Sequence, residues 1–164
     1  MCSGYFFYRA ELQPSTLSRS GRDILDPKVK EAIIQAVASE PYARNLKLEL
    51  VVLENGHSVV EMTYDPEAAD NIYGRAHGGA IYSLIDEAFQ TAGQTDGTIA
   101  VALNVNVTYT ASPKPHTRLR AEAQRVSQTK RTAGYHIRVT DQEGLTIATC
   151  QALAYCTGKP IPFL

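Results

Sequence analysis

Four segments of strand character follow one another after Gly93 with only turns between them, at about Thr98–Thr110, Arg118–Gln128, Thr132–Asp141 and Thr146–Cys156. Parallel neighbours would need helical crossovers between these segments, so the strands are expected to pair antiparallel. Ser112-Pro113-Lys114-Pro115 and Asp141-Gln142-Glu143-Gly144 are the strongest of the turns. Upstream, Leu46 to Leu53 alternates apolar and charged residues, Glu54-Asn55-Gly56 reverses the chain, and Ser58 to Tyr64 returns as a second strand. Between the two groups lies one long helix, roughly Gly79 to Ala92, whose Ile81, Leu84, Ile85, Ala88 and Phe89 need a core, with Gly93 closing it. The order predicts an α+β fold in which an antiparallel sheet buries a central helix.

An extra N-terminal helix precedes the sheet. Asp26 is its N-cap, Pro27 sits in its first turn, and Val29, Ile33, Ile34, Val37 and Ala38 form its apolar stripe. Pro41 ends it. Residues 1–22 have no sustained period and are expected to be an irregular extension; residues 23–164 are expected to be one domain. The Tyr5-Phe6-Phe7-Tyr8 run is too short for the core of a signal peptide and is closed by Arg9 and Glu11. With no window long enough to span a bilayer, a cytoplasmic location is the expectation.

A formal net charge of −1 gives no electrostatic case for nucleic-acid or membrane binding. Cys2, Cys150 and Cys156 have neither metal-ligand spacing nor the even count of a disulfide framework, which favours free thiols. His57, His116 and His136 are not linked to one another or to Cys and carboxylate residues by any ligand spacing, so no metal site is expected.

Chemistry concentrates in Asn71 to Asp86, N-I-Y-G-R-A-H-G-G-A-I-Y-S-L-I-D. Gly78 and Gly79 let a ligand come close to backbone N–H groups at a helix start, where those groups lack intrahelical partners and the helix dipole is positive. Such a start suits a developing oxyanion. Asp86 lies beside the inward face of the helix, where a carboxylate is costly without partners. The bland reading of Asp86 is a solvated residue on the helix back, with Glu87 the more exposed of the two.

Asn71, Gly74, His77-Gly78-Gly79 and Asp86, followed by Asn104-Val105-Asn106-Val107-Thr108-Tyr109 and by Gly144 ahead of Ile147-Ala148, resemble the PaaI-type thioesterases of the hotdog-fold superfamily. The resemblance covers roughly residues 42–157. It implies a hotdog fold and a homodimer, often a dimer of dimers, that hydrolyses acyl-CoA thioesters without metal, coenzyme A being part of the substrate. It also implies that Gly78 offers its N–H to the thioester carbonyl and that Asp86 is the nucleophile or the general base for water. Asn71 and His77 would orient the loop, the carbonyl or the water. Ala102 stands where some relatives carry a serine or threonine that could hold the water.

Eight helical residues span about 12 Å along the axis, so Gly78 and Asp86 of one chain cannot flank one carbonyl. A two-fold axis running two such helices antiparallel brings Gly78 of one subunit near Asp86 of the other, which predicts a shared site. Each residue also has a structural reading. The glycines make a turn, His77 holds the loop by hydrogen bonding, and Asn71 is a turn residue; Ser83, one turn before Asp86, is a candidate to hold its carboxylate or the water, against the structural reading that it bonds its own backbone. Tyr82 and Phe89 are core or acyl-pocket wall. Lys114, Arg125, Lys130 and Arg131 are candidates for the coenzyme A phosphates, Arg131 beside a turn being the first to test. A serine esterase would need a G-x-S-x-G elbow, which is absent. A hotdog hydratase would need a different His and acid pair. The rival from another class is a non-catalytic acyl-CoA-binding or sensing protein, for which Ala102 leaves room.

Overall fold

The computed structural model describes residues 24–164. The extension expected over 1–22 lies outside the described residues. Helix α1 (Pro27–Ser39) begins where the Asp26 carboxylate accepts the Lys28 N–H at 2.8 Å, and it buries Val29, Ile33 and Val37. Pro41 does more than stop α1. Its fixed φ suits a first helical turn, so it opens a short helix, α2 (Pro41–Asn45), which the sequence reading left out.

Strands β1 (Glu49–Glu54) and β2 (His57–Thr63) form the expected hairpin, with Gly56 at φ +67 in the turn. The segment expected as plain loop contains a four-residue helix, α3 (Pro66–Ala69), capped by the Asp65 carboxylate on Glu67 N–H. Central helix α4 (Gly78–Gly93) follows. Gly93 is its last residue rather than a left-handed cap; the reversal comes at Gly97, where φ is +71. Strands β3 (Thr98–Tyr109), β4 (Arg118–Gln128), β5 (Thr132–Asp141) and β6 (Thr146–Pro160) complete the sheet, β6 running past the expected end at Cys156.

All pairs are antiparallel, in the order β1-β2-β4-β5-β6-β3. The sheet curls around α4. Its inner face presents Val60 and Met62 of β2, Leu119, Ala121 and Ala123 of β4, Tyr135, Ile137 and Val139 of β5, and Ala148, Ala152 and Ala154 of β6. The alanines let the helix approach closely. Against them lie Ile81, Leu84, Ile85, Ala88, Phe89 and Ala92, each fully or nearly fully buried. Each such Ile, Leu or Phe contributes roughly 1.5–3 kcal/mol on leaving water. A second cluster packs α1 residues Val29, Ile33 and Val37 on Leu53 of β1 and on Ile161 just past β6, with Ile99 of β3 against it, so α1 bridges the two edges of the curled sheet.

The two sheet edges differ. β1 is short, carries a bulge between Leu50 and Val52, and has a glutamate at each end, which blunts it. β3 is twelve residues long, with Val101 and Leu103 46% and 57% exposed, so it presents a long apolar edge without a pairing partner among the described residues.

Candidate active site

Residues 70–77 fold into a tight reversal that aims the start of α4. The Asn71 side-chain oxygen accepts the N–H groups of Tyr73 at 2.9 Å and Arg75 at 3.3 Å, while Gly74 takes φ +65. Tyr64, from the core, donates to the Asp70 carboxylate and pins the loop base. Asn71 is therefore an organiser of this turn. His77 caps α4: its Nδ1 accepts the Gly79 N–H at 2.9 Å, which leaves the ring proton on Nε2. Gly79 N–H is thereby used internally. Gly78 N–H is one of the orphan donors of a helix start, and among the described residues nothing accepts it. The Tyr109 hydroxyl, at the far end of β3, donates to the Gly78 carbonyl at 3.0 Å and steadies that residue. The sequence names Tyr109 only as the end of the resembling strand and assigns it no role at the site, because its partner lies 31 residues away.

Asp86 sits two turns along α4 at a cavity of about 250 Å³, among Phe89, Gln90, Gly93, Gln94 and the β3 residues Ala100 to Ala102. Burial, and after it the charge of Glu40, pushes its carboxyl above the ordinary value. In the isolated chain Asp86 is exposed while Glu87 is 4% exposed, the reverse of the sequence reading. The reason is α1 and α2, which cover the side of α4 that carries Glu87. Ala102 lines the Asp86 cavity and offers it only a methyl group. Tyr82 is 37% exposed, so it is not core; burial and then the Asp86 charge raise its hydroxyl above the ordinary value. Phe89 is both: 4% exposed, edge-on to Tyr135, and part of the cavity wall.

Ser83 does not serve Asp86. Its hydroxyl donates to the Gly79 carbonyl at 2.8 Å and accepts from the Tyr42 hydroxyl at 2.8 Å, so it braces the helix start against α2. His77, Gly79 and Ser83 line a separate hollow of about 190 Å³ beside Tyr42. Arg125 is not free for a phosphate: it pairs with Asp96 at 2.8 Å and with the Asn55 side chain at 2.9 Å. Lys130 and Arg131 occupy the β4–β5 turn, whose Arg131 carbonyl accepts the Cys156 N–H opposite Ala100, at the same sheet end as the Asp86 cavity. Burial pushes the Cys150 thiol up to about 11, so it is no nucleophile at neutral pH. Within one chain, then, the Gly78 N–H and the Asp86 carboxylate stand apart on one helix, about 12 Å along its axis.

A curled antiparallel sheet around one helix, with that helix start, defines a hotdog-fold protein, and comparison with known proteins narrows the class. Residues 73–148 match the family described as the thioesterase superfamily. A putative esterase from Archaeoglobus fulgidus is 30% identical over 138 residues, covering 81% of this chain and 89% of that protein. The acyl-coenzyme A thioesterase PaaI of Escherichia coli is 29% identical over 73% of this chain and 84% of its own length. The structure of E. coli PaaI superposes with a TM-score of 0.79, covering 84% of this chain and 99% of that one at 27% identity. A structure from Streptococcus mutans UA159, bound to acetyl CoA, has a TM-score of 0.65 at 28% identity, over 70% of this chain and 91% of its own. The chain belongs to the PaaI-type thioesterases of the hotdog-fold superfamily. It is a thioester hydrolase.

Proposed function

We propose that the protein hydrolyses acyl-CoA thioesters to the free acid and coenzyme A, at a site built from both subunits of a homodimer. The observation that carries this reading is the division of labour along α4: an unpaired N–H at Gly78, and a carboxylate at Asp86 that opens on a cavity. The relatives named for acyl-CoA thioesterase activity, and the one bound to acetyl CoA, support the substrate class.

The position of β3 beside α4 supports the dimer. Its first half, Ala100 to Ala102, lines the Asp86 cavity, and its last residue, Tyr109, holds Gly78. Antiparallel pairing of two β3 edges about the middle of the strand therefore sets the Gly78 end of one subunit opposite the Asp86 end of the other. It also covers Val101 and Leu103. The thioester carbonyl lies between them, its oxygen on Gly78 N–H. Asp86 either attacks the carbonyl carbon or takes a proton from the water that does, and the coenzyme A thiolate leaves. Asn71 and His77 hold the donor loop in place. Lys130 and Arg131, at the cavity end of the sheet, receive coenzyme A phosphates.

The test is release of free thiol from a panel of acyl-CoAs, with Asp86→Asn beside wild type. A loss of at least about a hundredfold in kcat/KM is expected, corresponding to about 2.7 kcal/mol of transition-state stabilisation. Tight binding of acyl-CoA by wild type with no thiol release would instead identify a sensor.

A further inference from the structure

Glu87 plays no part in the chemistry above, yet it is the charged side chain of α4 that the fold buries. Its Oε2 accepts from the Gln90 side-chain amide at 3.4 Å, and its Oε1 is buried with no hydrogen-bond partner among the described residues. The same amide donates at 2.8 Å to Glu40, at the junction of α1 and α2. Gln90 also lines the cavity of Asp86. One amide thus links a buried carboxyl to an outer carboxylate, on a side chain that lines the Asp86 cavity. The charges acting on Glu87 are those of Glu40, from the α1–α2 junction, and Asp86, from α4 itself; no cation among the described residues offsets them. The nearby Thr91 and Ser58 hydroxyls are neutral and donate to the Glu87 and Ala88 carbonyls respectively. An ionised Glu87 would put charge on an oxygen that nothing solvates, whereas a protonated one leaves a neutral oxygen there. Burial first, then Glu40 and Asp86, accordingly push this carboxyl up to about 7.

We propose that Glu87 is a positioning residue for Asp86: it holds a proton at rest, and its ionisation strengthens the neighbouring carboxylate as a base or nucleophile. The reasoning rests on the reading that Asp86 reacts with the thioester or its water. In either route the negative charge of Asp86 is consumed. A second charge on the adjacent residue raises the energy of the ionised Asp86 and is relieved as that charge disappears. Interactions of this kind at short range in a partly buried site change rates severalfold.

The experiment follows kcat for acyl-CoA hydrolysis against pH in wild type and Glu87→Gln. Wild type is expected to rise about three- to tenfold through an inflection near pH 7, and Glu87→Gln to lack that inflection. An inflection that survives in Glu87→Gln overturns the proposal. Should Glu87→Gln fail to fold, Glu40→Gln is expected to move the wild-type inflection to lower pH, and an unmoved inflection overturns it. A readout free of turnover is the side-chain carbon NMR titration of Glu87. Its midpoint is expected to fall in Asp86→Asn, and an unchanged midpoint overturns the coupling. Coupling seen by NMR in a protein that releases no thiol would count against the hydrolase reading alone.

Discussion

Gly78→Pro would replace the hydrogen-bond donor with a ring carbon aimed at the same place, at a helix position that accepts proline. Gly78 is the first residue of α4, where proline is well accommodated, and the preceding His77 already has the φ −67, ψ 132 backbone that a residue before proline adopts. The added Cβ would lie 3.3 Å from the Tyr109 ring, which must shift by a few tenths of an ångström. Gly78→Pro is therefore expected to melt close to wild type while losing at least about a hundredfold in kcat, since removal of one oxyanion donor costs about that much. Circular dichroism melting beside a thiol-release assay checks both halves. Glu87 makes a second prediction, on stability. Its folded value of about 7 lies above the ordinary 4.5, so the folded state binds the proton more tightly. The contribution of this group to stability is full below pH 4.5 and is lost as pH rises through about 7, by about 3 kcal/mol in all. Denaturant unfolding of wild type should show that fall, and Glu87→Gln should lack it. Local roles such as the His77 cap and the Asn71 turn were legible in the sequence because their partners lie within four residues. The burial of Glu87 was not, because it depends on α1 and α2 folding back over α4, some fifty residues away in the chain.

At the scale of elements, β3 is the strand on which the proposed dimer rests. A charge in the middle of a free strand edge opposes pairing with another copy, a device that natural sheets use to stay monomeric. Leu103, 57% exposed and between the two ends of the site, is the place for it. Leu103→Lys should leave the chain folded, shift it to monomer by sedimentation velocity, and abolish thiol release. An active monomer would contradict the shared site. The strands were legible because alternation and turn chemistry are local: Asn55-Gly56 and the Gly144 turn fall where expected, and β4 and β5 match their expected bounds. The helices α2 and α3, of five and four residues, are too short to show a period. Pro41 and Pro66 mark their first turns, but a proline there is equally a stop signal for what precedes it.

For the whole molecule, each chain in the proposed reading carries the two halves of a reaction centre, set apart along one buried helix. Each chain supplies a donor at one end of α4 and a carboxylate toward the other, and no folding of a single chain brings them together. In the proposed dimer, two copies related by a two-fold axis form two complete sites. The most direct measurement is complementation between two inactive chains. Gly78→Pro and Asp86→Asn are expressed separately, unfolded together and refolded as a mixture. A mixed dimer contains one site with both groups intact and one with neither, so random pairing should restore about a quarter of the wild-type thiol-release rate. A mixture that stays as inactive as its parents, although native mass spectrometry shows the mixed dimer present, would contradict a site shared between subunits.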